Sequence, residues 1–307
     1  MVELEKIGFI GYDKDKFNRN EIAELKMMNV LRWSIMHKFT NAGIIAEIIG
    51  APQNETGKFS MSGVHNFIQK MIRKDLLKGV IMPQTYHRRV YIATQKGLDH
   101  AQMLYQDVDL TFHNTDISKI NGNKVNHDLL AQRAALSIVQ NSNEKISYMS
   151  EKEFARSNDE WNFEAEEKRN AILRAEKESK GSSGFAPPFV SFTRRPDFVI
   201  ERGGKTVAYE IEVSVKSKSL YNNIVKNYAE GIRQGRIDKV VYFCAHKQIY
   251  NTLKDKVAEH GKIKHRGKIF MNKDKFFEHD YSSRFEIVIS KKLLISLMGN
   301  SVAARFN

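Results

Sequence analysis

The chain has 307 residues, of which 41% are hydrophobic and 28% charged, a composition typical of a globular protein with enough apolar content for two cores. Its 49 Lys and Arg against 36 Asp and Glu give a net charge of +13, which favours a polyanionic partner. A single cysteine, Cys244, argues against a disulfide framework and a Cys-rich zinc site. The sequence has no run of about 18 apolar residues, and its first residues do not have the pattern of a secretory signal. We therefore predict a cytoplasmic protein without a membrane span.

Charge is concentrated in two parts of the chain. Residues 58–96 contain eight Lys or Arg and one acid, and residues 216–307 contain nineteen and eight. Between them, residues 144–180 hold ten acids and eight bases and lead into KGSSGFAPP, a pattern typical of a solvated helix followed by a linker. We therefore predict two domains, residues 1–145 and residues 146–307. A charge run without supporting motifs indicates only a solvated surface.

The first half carries the spacing of a three-helix scaffold. Apolar residues recur at helical spacing in residues 21–37, and FTNAGIIAEIIGAP predicts a second, short helix capped by Thr40 or Asn41. A third helix is predicted near residues 61–77, where a stripe running from Val64 to Leu76 is apolar.

The opposite face of this third helix is polar and basic, and it carries Ser62, His65, Asn66, Gln69, Lys70, Arg73 and Lys74. Such side chains read base edges and phosphates in a major groove. GVIMPQTYHRRVYIAT then predicts two short strands around a turn with Arg88 and Arg89, and a further helix begins at Thr94. The order resembles a winged helix-turn-helix whose recognition helix is residues 61–77. A three-helix scaffold that binds protein has the same periodicity.

In the second half, RRPDFVIERGGKTVAYEIEVSVKSKS predicts a β-hairpin around the turn RGGK. Asp197 stands at the start of the first strand. Alternation along the second strand places Glu210, Glu212 and Lys216 on one face. We therefore expect three carboxylates to converge at one edge of the sheet.

Crowded carboxylates repel one another and need a cation or protonation. A hard divalent ion such as Mg2+ or Mn2+ takes oxygen ligands and can activate water for attack on a phosphate, so Asp197, Glu210 and Glu212 are candidate metal ligands and catalytic residues. Lys216 is a candidate for stabilising the transition state or deprotonating the water. The alternative is an ordinary hairpin whose charged residues face solvent.

Helices and strands alternate after the hairpin. The patterns predict a helix over residues 217–235, a buried strand at KVVYFCAH, a helix near residues 247–259, a strand at FEIVIS and a last helix at KKLLISLMG. The predicted fold class is α+β or α/β, with an N-terminal winged helix-turn-helix followed by a mixed-sheet domain.

R-P-D, a turn, E-I-E, a strand-to-helix transition and a parallel strand together resemble the PD-(D/E)XK nucleases, whose core is restriction-endonuclease-like. In this resemblance Asp197 matches the motif aspartate and Glu210 the motif acid. Glu212 stands at the usual lysine position, as in E-x-E versions among restriction enzymes, so Lys216 or Lys226 is left to supply the function of the lysine. The whole chain resembles the replication-relaxation family, and within it the MobC-type relaxases of mobilisable plasmids. The likeness covers roughly residues 20–140 and 190–245.

The resemblance implies a relaxase that recognises a plasmid transfer origin and makes a metal-dependent single-strand nick to begin conjugative mobilisation, with accessory mobilisation and coupling proteins as partners. More familiar relaxases hold their metal through closely spaced histidines, and no two of the ten histidines here are separated by a single residue, which favours carboxylate chemistry. Two alternatives stay open. One is a sequence-specific DNA-binding replication or accessory factor with an inactive nuclease fold, and the other is a restriction or repair endonuclease.

Overall fold

The computed structural model describes residues 3–4, 17–55, 57–82, 89–104, 120–142, 146–178, 191–269 and 273–290. Within them helices and a mixed sheet are combined, so the α+β class is confirmed. The chain divides into two compact units between Ser150 and Glu151. The predicted linker KGSSGFAPP and the predicted last helix KKLLISLMG lie outside the described residues.

The described part of the first unit contains five α-helices and two small antiparallel ladders. The helices are α1 (Arg19–Met36), α2 (Ala42–Ile48), α3 (Met61–Arg73), α4 (Gln95–Leu104) and α5 (Val125–Asn141). The strands are β1 (Glu3–Leu4), β2 (Leu77–Ile81), β3 (Arg89–Ala93) and β4 (Ile146–Ser150). β2 pairs with β3, and β1 pairs with β4.

Side-chain caps and a buried polar contact fix the helices of this unit. The side chain of Asn41 caps α2 by accepting a hydrogen bond from the Ile44 N–H, as predicted, at 2.9 Å. The indole N–H of Trp33 donates to Gln132 at 3.0 Å, and the Gln132 amide donates to the Phe39 carbonyl at 2.9 Å. The buried side chain of α5 therefore satisfies polar groups at the end of α1 and just after it.

The second unit contains α6 (Glu151–Glu178), β5 (Phe198–Arg202), β6 (Lys205–Glu212), α7 (Lys218–Arg233), β7 (Lys239–Cys244), α8 (Lys247–His260), β8 (Lys262–Ile269), β9 (Lys273–Asp280) and β10 (Phe285–Ile289). Its main sheet has the strand order β5-β6-β7-β10. β5 and β6 are antiparallel, whereas β6, β7 and β10 run parallel to one another. β8 and β9 form a separate antiparallel ladder.

The predicted hairpin, helix and parallel strand of this unit are confirmed as β5, β6, α7 and β7. Gly203 and Gly204 form the hairpin turn, with φ of 56° and 71°, a conformation that favours glycine. β7 is mostly buried, as its apolar run predicts. The β8–β9 hairpin is absent from the sequence-based prediction, because its closely spaced lysines weaken the apolar alternation that indicates a strand.

Gly97 in α4 is a site where a side chain should be harmful. A Cβ there would lie 2.2 Å from the backbone carbonyl oxygen of Leu76, which a side-chain rotation cannot move away. We expect Gly97→Ala to lower the free energy of unfolding by about 1–3 kcal/mol through this overlap. Denaturant unfolding followed by circular dichroism measures the change.

Gly63 in α3 provides the matched control. Apart from its chain neighbours and the backbone of its own helix, no described residue has an atom within 4 Å of the position of its Cβ. Gly63→Ala should therefore raise the free energy of unfolding by up to about 1 kcal/mol, since alanine favours helix. Similar effects of the two substitutions would contradict the close approach at Gly97.

Candidate functional site

Asp197 is held at the open end of the β5–β6 hairpin. Its backbone N–H donates to the carbonyl of Tyr209 at 3.0 Å, and its Oδ2 accepts a hydrogen bond from the N–H of Ile211 at 2.6 Å. Ile211 lies between Glu210 and Glu212 on β6. The structure thus brings Asp197 to β6 at the point from which both glutamates project.

Glu210 is buried and is satisfied by two donors from different elements. Its Oε1 accepts from Arg194, whose Nε lies at 2.9 Å and whose Nη2 lies at 2.8 Å, and from the hydroxyl of Tyr228 at 2.5 Å. Burial and then the charge of Glu210 raise the pKa of Tyr228 well above its usual value. Burial, the largest single effect, acts to lower the pKa of Arg194, but the charges of Glu210, Tyr228 and Tyr242 and the hydrogen bond to Glu210 together raise it. The tyrosine therefore stays a donor and the arginine a cation.

Glu212, only 1% exposed, is paired with Lys216. The Lys216 ammonium lies 2.5 Å from Glu212 Oε1. Burial raises the pKa of Glu212, Lys216 opposes the rise, and the charge of Glu210 adds to it. Lys216 thus brings its ammonium to Glu212 from four residues further along the chain.

Lys216 is folded back by the loop between β6 and α7. The buried hydroxyl of Tyr221 accepts a hydrogen bond from the Lys216 N–H and donates one to the Ser214 carbonyl, each at 3.4 Å. Ser217 caps α7 by accepting from the Leu220 N–H at 3.2 Å. The start of α7 therefore fixes the direction from which the ammonium reaches Glu212.

Each glutamate uses one oxygen only. Within the described ranges, no group donates a hydrogen bond to Oε2 of Glu210 or of Glu212. The hydroxyl of Tyr242, in register with Glu210 on the neighbouring strand β7, is fully buried and has no hydrogen-bond partner among the described residues either. Burial is the main cause that raises the pKa of Tyr242, and the charges of Glu210 and, to a smaller extent, Glu212 add to it. The hydroxyl therefore lies in the field of both carboxylates.

The carboxylates at β6 have cations of the chain as their partners. In the described part of the chain no three His, Cys, Asp or Glu side chains are grouped so as to hold a metal ion, and Glu210 and Glu212 are instead paired with Arg194 and Lys216. Two buried carboxylates with an uncommitted oxygen each are nevertheless ligands of the kind that Mg2+ and Mn2+ prefer. A hard divalent ion would suit these residues if it took the place of one of the internal cations.

The segment that carries Arg194 to Glu210 is hydrogen-bonded to α6. The backbone of Phe192 donates to Asn162 Oδ1 at 3.0 Å, and its carbonyl accepts from Asn158 at 2.5 Å and from Asn162 at 2.9 Å. The Phe192 ring occupies space that a Cβ at Gly231 of α7 would enter, at 2.6 Å. Arg194 follows two residues after this fixed point.

Lys226, the other candidate for the function of the motif lysine, lies elsewhere. It is exposed on α7. The pKa of Glu259 in α8 is lowered chiefly by Lys256, and His260 and Lys226 contribute to the same effect. Lys226 is therefore near Glu259, whereas Lys216 contacts Glu212 of β6.

Arg194, Tyr242 and the hydrogen bond of Tyr228 are absent from the sequence-based prediction. Tyr228 is buried on α7, and its hydroxyl donates to Glu210. A chemical argument could have indicated the contact of Tyr228, because a buried tyrosine generally finds a hydrogen-bond partner. Glu210, a buried glutamate on β6, is such a partner.

The polar face of α3 is exposed as the sequence analysis predicts. Val64, Ile68 and Met71 are buried, whereas the exposed residues are Ser62, His65, Asn66, Gln69, Lys70, Arg73 and Lys74. Lys74 is tied to Glu24 of α1 by an exposed ion pair at 3.0 Å. Arg89 is exposed at the start of β3, and Arg88 lies outside the described residues.

No family model, no curated protein and no solved structure matches the chain. Among its described helices, none has the length and apolar character needed to cross a membrane. Two groups of side chains therefore stand out, the carboxylates with their cations at β6 and the exposed polar face of α3.

Glu212→Gln should change how stability depends on pH. Since burial raises the pKa of Glu212 from its usual 4.5, the native state binds this proton more tightly than the unfolded chain does. Glu212 therefore costs stability progressively as the pH rises from its unfolded pKa through its native pKa, and glutamine does not. The free energy of unfolding of the variant minus that of the wild type should increase over this window.

Urea unfolding in EDTA from about pH 4 to about pH 8 measures this difference. Glu166→Gln, at an exposed position on α6, is the control for the loss of one negative charge. A difference for Glu212→Gln that does not vary with pH would contradict the raised pKa.

Proposed function

We propose that the protein is a metal-dependent DNA endonuclease that nicks one strand, with its catalytic site at β6 and its DNA-binding surface on α3. One observation carries the proposal: two buried glutamates, each with an uncommitted oxygen, lie beside Asp197 and the ammonium of Lys216 at the open end of one hairpin. Carboxylates and a lysine so placed suit the hydrolysis of a phosphodiester.

In this mechanism Asp197, Glu210 and Glu212 would hold Mg2+ or Mn2+. The ion, when bound, supplies Lewis-acid activation of the phosphate and of the attacking water. Lys216 stabilises the negative charge that develops on the phosphate, because its ammonium is held at the site before the substrate arrives. The N–H of Ile211 keeps one oxygen of Asp197 in place, which limits the reorientation that catalysis requires.

We propose that the first unit binds DNA as a winged helix-turn-helix. The order α1, α2, α3, β2, β3 is the order of helices and hairpin in such domains. The exposed face of α3 supplies amide, hydroxyl and cationic groups for a major groove, and Arg89 lies on the hairpin that would form the wing. The net charge of +13 favours association with the phosphate backbone.

The resemblance to MobC-type relaxases provides the proposed target. In this proposal the nick is made at a plasmid transfer origin and begins conjugative mobilisation, together with accessory mobilisation and coupling proteins. A restriction or repair endonuclease would use the same carboxylates on a different DNA target. Nicking of origin-containing against origin-free plasmid separates these two possibilities.

A second candidate is a sequence-specific DNA-binding factor of plasmid replication with an inactive nuclease fold. The observation that favours it is the pairing of both buried glutamates with cations of the chain, Arg194 and Lys216. Such pairs satisfy buried carboxylates without a metal.

The proposed site predicts metal-dependent nicking of supercoiled plasmid that carries the cognate origin. Mg2+ or Mn2+ should support nicking by the wild type and EDTA should abolish it. Asp197→Ala and Glu210→Ala should each lower the rate at least about a hundredfold, with DNA binding retained. Lys216→Ala should be much more damaging than Lys226→Ala, because only Lys216 contacts a glutamate of the site.

Agarose gels of the plasmid forms measure the rate, and a binding assay run in parallel reports whether each variant still recognises the origin. Specific binding without nicking by the wild type, in either metal, would exclude the endonuclease and favour the inactive DNA-binding factor.

The α3 surface predicts a defined salt dependence of DNA binding. Replacing Lys70 and Arg73 by alanine removes two exposed cations that we assign to phosphate contacts. The double variant should bind more weakly, and the slope of log K against log salt should fall by about 2. Lys168→Ala, at an exposed position in the acid-rich helix α6, is the control. Equal slopes for the wild type and the double variant would show that these cations of α3 do not contact DNA phosphates.

A further inference from the structure

The cation paired with Glu210 in this structure is a side chain of the protein itself. We propose that Arg194 competes with the catalytic metal for Glu210 and transfers to a phosphate of the DNA when the metal binds. The inference rests on the proposed nuclease function and adds to it the residue that couples metal binding to DNA binding.

The contact geometry supports an exchange rather than a permanent pair. Arginine commonly binds a carboxylate with two nitrogens on two oxygens. Here Nε and Nη2 of Arg194 both contact Oε1 of Glu210, and Oε2 accepts no hydrogen bond from a described residue. A divalent ion on Oε2 would lie within a few ångströms of the guanidinium, where two positive centres repel each other.

The two side chains that donate to Glu210, Arg194 and Tyr228, differ in their exposure to solvent. The Arg194 side chain is 25% exposed, and its neighbours Thr193 and Arg195 are exposed. Tyr228 is fully buried and belongs to α7. Arg194 can therefore turn towards solvent while Tyr228 keeps its bond to Oε1.

The backbone that carries Arg194 is fixed at both ends of a short segment. Asn158 and Asn162 hold Phe192, and the Asp197 N–H is bonded to the Tyr209 carbonyl. The exchange is consequently a side-chain movement that leaves Asp197 in place. A planar guanidinium is well matched to a phosphate, which gives the released side chain a partner at the substrate.

Competition makes metal affinity depend on DNA. If the Arg194–Glu210 pair is formed in about nine molecules out of ten, the apparent affinity for metal falls about tenfold, and removing the pair restores it. DNA that draws Arg194 away has the same effect, and by linkage the metal strengthens DNA binding by the same factor.

The test is calorimetric titration of Mn2+ into the full-length protein without DNA. Arg194→Gln should bind Mn2+ about tenfold more tightly than the wild type. Arg194→Lys, which retains the charge, should resemble the wild type. Tyr228→Phe is the matched control at the same oxygen, because it removes a neutral donor, and it should bind no more tightly than the wild type. Thermal melting in EDTA establishes that each variant is folded.

A second arm needs no variant. The wild type is titrated with Mn2+ in the presence of a short duplex with phosphorothioate linkages, which keep the charge and resist cleavage, and binding to the duplex alone is subtracted. Mn2+ affinity should rise about tenfold with the duplex present, and this gain should be absent in Arg194→Gln.

Arg194→Gln that binds Mn2+ no more tightly than the wild type, or Tyr228→Phe that gains as much, overturns the inference. So does a wild-type affinity that the duplex leaves unchanged. If the wild type nicks plasmid while any of these results is found, the proposed nuclease function is retained and the proposed role of Arg194 is rejected. If no protein binds Mn2+ and none nicks, both proposals fail.

Discussion

The constraint on which the second unit depends is the burial of two carboxylates two residues apart on β6. A buried carboxylate without a partner is too costly to persist, so each glutamate has to be met by a cation. Glu210 is met by Arg194 from the segment before β5, and Glu212 by Lys216 from the loop after β6. The chain on both sides of the hairpin is thereby tied to the same strand.

Features distant in sequence follow from these pairs. Arg194 reaches Glu210 because the segment before it is held in place. Two asparagines of α6 hold it by hydrogen bonds to the backbone of Phe192. The ring of Phe192 in turn needs a position without a side chain on α7, which Gly231 provides. The site at β6 is thus supported by packing among α6, α7 and the sheet, so geometry at the carboxylates and stability of the unit are coupled.

The parts of the site that follow from local rules could be predicted, and those that depend on packing could not. Alternation in a strand places Glu210 and Glu212 on one face whatever surrounds them, and Asp197 is adjacent because a hairpin returns the chain to its start. Lys216 and Lys226 are equally acceptable in the sequence, since nothing local fixes the rotation of α7 against the sheet. Arg194 and Tyr228 were missed for the same reason, because each reaches Glu210 only through tertiary structure.

Charge links the departure from the familiar motif to the role inferred for Arg194. In the nuclease motif that the chain resembles, two acids and one lysine carry one net negative charge, and a glutamate in place of the lysine would raise this to three. Lys216 and Arg194 together return the site formed with Asp197, Glu210 and Glu212 to a single net negative charge. If Arg194 left as proposed, two net negative charges would remain, and one divalent ion would neutralise them. An arginine that stays on Glu210 and a metal that replaces it are therefore alternative solutions to the same buried charge, and the binding of DNA is what would select between them.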